Sequence, residues 1–253
     1  MATVFTVSNQ KGGAGKSTTA AALAAGLARR GFKVLTIDLD PQGNLSYTAQ
    51  ADPTRPTSLD ILTGNATAQE AMQQTPGGLL IASSPGLSGA DAFISETGKE
   101  YRLREALEPI REGLDFIVVD TPPALGILTV NALTACDRVI VPAQADIYSL
   151  QGIEQLTETI KPVRKYCNPR LQIDGILLTR YSPRAVLSRD IAKLARQMAD
   201  KLHTRVYRTF IREAVAVREA QISRQDLFSY APKAKVTQDY ASFIDELIGG
   251  PQQ

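Results

Sequence analysis

The stretch "SNQKGGAGKSTTA", Ser8 to Ala20, decides how this chain folds. It follows a short apolar run, Val4–Val7, and leads into a segment with helical spacing, Ser17–Arg30. A strand, a glycine-rich loop and a helix in that order make a seat for a phosphate. Backbone N–H groups and the positive end of the helix dipole face the anion. Glycines are needed there because side chains would hold the oxygens off and because some loop positions require φ > 0.

The general phosphate-loop pattern G-x-x-x-x-G-K-[ST] fits at Gly15-Lys16-Ser17 but has Gln10 where the first glycine belongs. The dinucleotide fingerprint G-x-G-x-x-G fails as well. Written as K-G-G-x-G-K-[ST], every fixed position matches, and that form carries two lysines, Lys11 and Lys16. Gly12, Gly13, Ala14, Gly15, Lys16, Ser17 and Thr18 are the expected nucleotide cradle. Lys16 would reach the β- and γ-phosphates, and the Ser17 hydroxyl would ligate Mg²⁺.

Outward from this loop, Val- and Ile-rich runs alternate with helical segments. Strands are expected at Val4–Val7, Val34–Ile37, Leu79–Ala82, Phe116–Val119, Val139–Val141, Ile173–Leu178 and Val206–Ile211. They are mostly continuous apolar runs, as strands buried on both faces should be. Helices are expected at Ser17–Arg30, Tyr101–Ile110, Leu150–Tyr166, Leu187–Leu202 and Tyr240–Ile248, with Gly31 closing the first. In the fourth, Leu187, Ile191, Leu194, Met198 and Leu202 form one apolar stripe. Asp52–Ser58 and Ser83–Gly89 read as surface loops. The alternation predicts an α/β protein with a doubly wound, mainly parallel sheet flanked by helices, and one domain over residues 1–253.

In such a sheet the ligand lies at the carboxyl ends of the strands. Asp38 and Asp40 end the second strand and, two apart, share a face on extended chain. Asp120 follows four apolar residues, the arrangement in which a carboxylate holds Mg²⁺, usually through water. Pro41 and Gly43 make the segment after Asp40 a candidate switch that senses the γ-phosphate.

Other chemistries lack their residues. The single histidine, His203, argues against a His-based metal site or a Ser-His-Asp triad. Cys136 and Cys167 are too few for a disulfide framework and sit in no Cys/His cluster. No apolar run approaches the roughly 20 residues of a membrane span, and the N-terminus does not read as a signal peptide, so a cytoplasmic protein is expected. Charge is uneven: Arg180 to Lys235 holds thirteen Lys/Arg against five Asp/Glu, leaving fifteen against twenty-one elsewhere. That asymmetry suggests a polyanionic partner for the last third of the chain.

The two-lysine loop resembles the deviant Walker A motif of the ParA/MinD group of P-loop ATPases. "DLDPQGN", Asp38–Asn44, is similar to the segment characteristic of its ParA/Soj branch. "RVIVPAQADIYSLQGIEQL" (Arg138–Leu156), "ILLTRYSPRAVLSRDI" (Ile176–Ile191) and "VREAQISRQDLFSYAPKAKVTQDYASFIDEL" (Val217–Leu247) resemble further segments of the family. The resemblance implies the P-loop NTPase fold, ATP and Mg²⁺ as cofactors, and a homodimer in the ATP state. In it Lys11 crosses to the partner's nucleotide, Lys16 acts in cis, and Asp40 orients the hydrolytic water. Asp38 and Asp120 would support the metal with Ser17.

For the ParA/Soj branch it also implies non-specific double-stranded DNA as a ligand, a stimulating partner of the ParB kind, and a place on the nucleoid. Arg184, Arg189, Arg212, Arg218, Arg224, Lys233 and Lys235 are the nominated DNA contacts, with Arg205 and Arg208 beside them. The group's MinD branch, acting on membrane or a protein scaffold, is the alternative; the ending "FIDELIGGPQQ" is acidic and then Gly/Pro-rich, so no membrane anchor is expected. Iron-protein relatives need cluster cysteines in motifs absent here. A small-molecule kinase or ligase would leave Lys11 and the basic third without a purpose. One departure stands out: many relatives have Ile-Pro where this chain has Ile211-Arg212, in a segment that touches the adenine base.

Overall fold

A computed structural model describes residues 1–249. Seven strands form one sheet: β1 (Thr3–Val7), β2 (Val34–Asp38), β3 (Gln73–Thr75), β4 (Gly78–Ile81), β5 (Phe116–Asp120), β6 (Arg138–Gln144) and β7 (Gln172–Thr179). Their order is β3-β4-β2-β5-β1-β6-β7. All neighbours are parallel except the edge pair β3–β4, so the protein is a doubly wound α/β fold. The helices of eight residues or more among the described residues are α1 (Lys16–Arg29), α2 (Ile127–Ala135), α3 (Ile147–Tyr166), α4 (Val186–Lys201), α5 (Val215–Ile222) and α6 (Lys235–Ile248).

Successive strand residues point to opposite faces, and the core divides accordingly. Val4, Ile117, Val119, Val139 and Val141 pack with α2, α3 and α4. Phe5, Val7, Val118, Ile140 and Leu177 pack with α1 and α6, where Leu23, Leu27, Phe243 and Ile244 are buried. Gly31 turns the chain out of α1 at φ +87°, the left-handed conformation that glycine adopts without a Cβ clash.

Five features depart from the sequence expectations. The strand predicted at Val206–Ile211 is not one: its segment runs beside β7 but joins it only through isolated bridges, Ile176 to Val206 and Thr179 to Ile211. Between them the Arg208 and Thr209 N–H groups donate to the Glu246 carboxylate, at 2.8 and 2.9 Å, which takes them out of the ladder. α2 has no range in the sequence reading, which expects only a helix around Cys136 before β6, because it is buried nearly all round and shows no stripe. β3 is three residues long and mostly polar, which hides it in the sequence. In α4 the buried face is Ser188, Ile191, Ala192, Ala195 and Ala199, and the expected stripe reaches the core only through Ile191, Met198 and Leu202. Leu187 and Leu194 are 65% and 42% exposed, because small side chains allow α4 to lie close on the sheet. Ser83–Gly89 holds a 3₁₀ turn, Pro85–Gly89, rather than open loop.

Candidate nucleotide site

Strand register brings the site together. Val7 lies beside Asp120, and Asp120 beside Asp38, at the carboxyl edge of β1, β5 and β2. Loops leaving these strands and β7 enclose a cleft of about 910 Å³, within the usual size for small-molecule sites.

The glycine loop is pinned at its start by Asn9, a fully buried side chain. Asn9 Nδ2 donates to the Pro142 carbonyl on β6 at 2.8 Å, and its Oδ1 accepts from the Lys11 N–H at 3.0 Å. Gly13 and Gly15 adopt φ of +74° and +93°, which a Cβ would strain. The far side of the loop is held by Thr179, whose hydroxyl donates to the Ala14 carbonyl at 2.9 Å, and by the Gln144 side chain, which donates to the Gly13 carbonyl. α1 starts at Lys16 with no side chain capping it and no acidic residue in its first turn. Its first N–H groups are therefore available to an anion.

Lys16 is 6% exposed, and its ammonium donates to the Lys11 carbonyl at 3.2 Å. Burial lowers its pKa, while the carboxylates of Asp120 and Asp40 oppose that shift. Asp38 ends β2 fully buried. It accepts from the Ser46 hydroxyl at 2.7 Å, the Ser46 N–H at 2.9 Å and the Asp40 N–H at 3.0 Å. The last of these is a side-chain-to-backbone bond of the Asx type where the chain leaves the strand. Burial still raises the Asp38 carboxyl above the ordinary range, against the pull of those hydrogen bonds. Asp40 accepts from the Gln42 N–H at 3.0 Å, which shapes the start of the candidate switch segment.

Asp120 is fully buried, and neither carboxylate oxygen has a hydrogen bond of ordinary geometry. Burial pushes its carboxyl well up and the Asp38 charge adds to this, whereas the nearby Ser17 hydroxyl and Lys16 ammonium oppose it. Such an orphaned anion suits a cation. No cluster of three His, Cys, Asp or Glu residues able to hold a metal occurs among the described residues. Mg²⁺ would therefore take its further ligands from Ser17, phosphate and water, as this ion commonly does.

Sequence reading did not single out Asn9, Gln144, Thr179 or Gln221. Gln221, on α5, donates to the Thr18 hydroxyl at 3.2 Å and so ties α5 to the start of α1. Each of these uncharged residues bonds a partner remote in sequence, and no local pattern marks them. Ile211, Arg212 and Arg218 line the same cleft.

The nominated DNA contacts fall into two groups. Arg212 is locked to Asp239 at 2.6 and 2.7 Å, and Arg205 to Asp174 at 2.7 Å. Arg224 donates to the Tyr47 carbonyl at 2.9 Å with its guanidinium over the Tyr47 ring. By contrast Arg184, Arg218, Lys233 and Lys235 are exposed and form no ion pair among the described residues, and Arg189 only reaches the Pro183 carbonyl.

Residues 2–173 match the family described as AAA domain. The chromosome partitioning protein ParA of Caulobacter vibrioides is 41% identical to this chain, over 97% of it and 93% of the relative. The sporulation initiation inhibitor protein Soj of Bacillus subtilis is 36% identical over 98% of each. A Mycobacterium smegmatis structure described as cobyrinic acid a,c-diamide synthase with bound ADP and magnesium is similar at a TM-score of 0.84 and 34% identity, over 98% of this chain and 94% of that one. The same protein is also known with an ATP analogue and magnesium.

Proposed function

As a member of the ParA/Soj-type family of P-loop partition ATPases, this chain is a partition or positioning ATPase that takes ATP and Mg²⁺, and we propose that it works as a dimerising switch on DNA. One observation carries the reading: two lysines flank one glycine loop, with Lys16 buried among Asp40 and Asp120 and Lys11 at the rim. Lys16 neutralises the phosphates held by its own protomer. Lys11 of each protomer reaches the nucleotide bound by the other, which makes dimerisation depend on ATP. Ser17, Asp120 and Asp38 would hold Mg²⁺ or the water around it. When bound, that ion offsets charge on the β- and γ-phosphates.

Asp40 orients the attacking water in line with the γ-phosphate, and hydrolysis is slow until a ParB-like partner stimulates it. The ATP dimer binds double-stranded DNA without sequence preference through exposed Arg184, Arg189, Arg218, Lys233 and Lys235. Arg212 and Arg224 contribute only if their intramolecular partners release them. The protein then resides in the cytoplasm on the nucleoid and moves a replicon or other cargo.

The test is binding of Asp40→Ala protein to random-sequence duplex DNA, with ATP or ADP, across a salt series. ATP-dependent binding that weakens steeply with salt is expected. Intact dimers without DNA binding would direct attention to a membrane or protein scaffold instead. The description of the M. smegmatis neighbour favours a second reading, an ATP-dependent ligase acting on a metabolite. ATP turnover that requires a small acid and ignores DNA would establish that reading in its place.

A further inference from the structure

The backbone of Lys11 is fixed on both sides. Its N–H goes to Asn9 Oδ1 at 3.0 Å, and its carbonyl accepts from Lys16 Nζ at 3.2 Å. Only the side chain can choose a direction, and the anions within reach decide it. The ammonium is paired with the Asp146 carboxylate of the same chain and lies 5.8 Å from the centre of the Tyr148 ring. Asp146 stands at the junction of β6 and α3. One of its oxygens caps α3, accepting from the Ser149 N–H at 2.9 Å, and the other receives Lys11. Although burial alone would raise its pKa, Lys11 and the cap hold the carboxyl below the usual range. Two residues earlier the Gln144 side chain donates to the Gly13 carbonyl, so this junction grips the phosphate loop at two points.

We propose that Asp146 is a positioning residue that holds the Lys11 ammonium on its own protomer, and that this ion pair must open before two nucleotide-bearing protomers can join. The inference rests on the reach of Lys11 across the dimer proposed above. One carboxylate competes with a triphosphate of several charges, so an arriving partner with bound ATP wins the lysine. The pair therefore sets a threshold without blocking assembly. Lys11 and Asp146 side chains are 23% and 30% exposed, so the pair is screened by water and modest in strength. A ratio of closed to open of about 1.5 to 5 follows. Both protomers must open, so the cost is squared, and the latch raises the dimer dissociation constant about 6- to 40-fold.

Asp146→Asn separates the charge from the cap, because asparagine caps a helix as well as aspartate does. With a non-hydrolysable ATP analogue, sedimentation equilibrium should show Asp146→Asn dimerising about 6- to 40-fold more tightly than the parent at low salt. The advantage should shrink as salt screens the pair in the parent, and Asp146→Glu should restore parental behaviour. Circular dichroism checks that each variant is folded. Unchanged or weaker dimerisation of folded Asp146→Asn would overturn the proposal. Lys11→Ala keeps the two failures apart: if it dimerises like the parent, the reach across the dimer fails and takes the latch with it. If Lys11→Ala cannot dimerise and Asp146→Asn gains nothing, only the latch fails.

Discussion

Lys16 shows how one residue is tuned by its surroundings. Burial disfavours its charge, and the nearby carboxylates of Asp120 and Asp40 favour it. Lys16→Ala should weaken ATP binding by about 10- to 150-fold, the loss of a charge-assisted contact, measured by titration of a fluorescent nucleotide. Asp40→Ala should leave nucleotide binding and ATP-driven dimers intact while abolishing phosphate release, since in the proposed mechanism Asp40 acts on the water and not on the loop. A monomeric Asp40→Ala protein with ATP bound would sink the switch. Asp120 carries the orphaned oxygens, so Asp120→Asn should lower ATP affinity in Mg²⁺ by tenfold or more. In EDTA it should change affinity little, and an equal loss in both conditions would remove Asp120 from the metal site.

At the scale of elements, two contacts hold the carboxyl-terminal third onto the sheet. Gly26 on α1 faces α6 so closely that a Cβ there would sit 2.2 Å from Ile244 Cδ1 and 3.1 Å from the Phe228 ring. Gly26→Val should therefore cost about 1–3 kcal/mol through overpacking, read as a lower urea midpoint. Asp174 on β7 joins Tyr207 at 2.6 Å, Arg205 at 2.7 Å and Arg138 at 2.9 Å. Burial would raise its pKa, but Tyr207, Arg205 and Arg138 outweigh that and hold it below the ordinary range. A carboxyl depressed by folding stabilises the fold above its unfolded pKa and loses that contribution as pH falls through the folded value. Asp174→Asn should thus lower the melting temperature at neutral pH, by about 1–3 kcal/mol in stability, and flatten its decline in acid. A melting curve unchanged at pH 7 would refute this account of the 204–211 segment.

For the whole molecule, the basic excess between Arg180 and Lys235 is smaller in effect than the count suggests, because Arg205, Arg212 and Arg224 are engaged within the chain. Arg218→Ala and Lys235→Ala should each reduce the salt slope of DNA binding by about one and weaken binding uniformly across sequences. Arg205→Ala should leave that slope unchanged and lower stability instead. A slope that drops with Arg205→Ala would mean that its pair with Asp174 opens on DNA.

Local pattern and chain order settled the parallel sheet, the phosphate loop and the type of each candidate ligand: continuous Val/Ile runs mean strands buried on both faces, and glycines between a strand and a helix leave backbone donors bare. Those signals are short-range, so they survive without knowledge of the fold. Other features depend on partners remote in sequence. α2 is buried nearly all round, the 206–211 segment loses its ladder to Glu246, and Leu187 and Leu194 of α4 face outward while its alanines pack inward. The same holds at the site. Val7, Asp38 and Asp120 become neighbours only through strand register, Asn9 meets Pro142 across 133 positions, and Lys11 meets Asp146 across 135. Which lysine approaches which carboxylate is fixed by packing, since the energy that pairs them is electrostatic and depends on distance in space rather than along the chain.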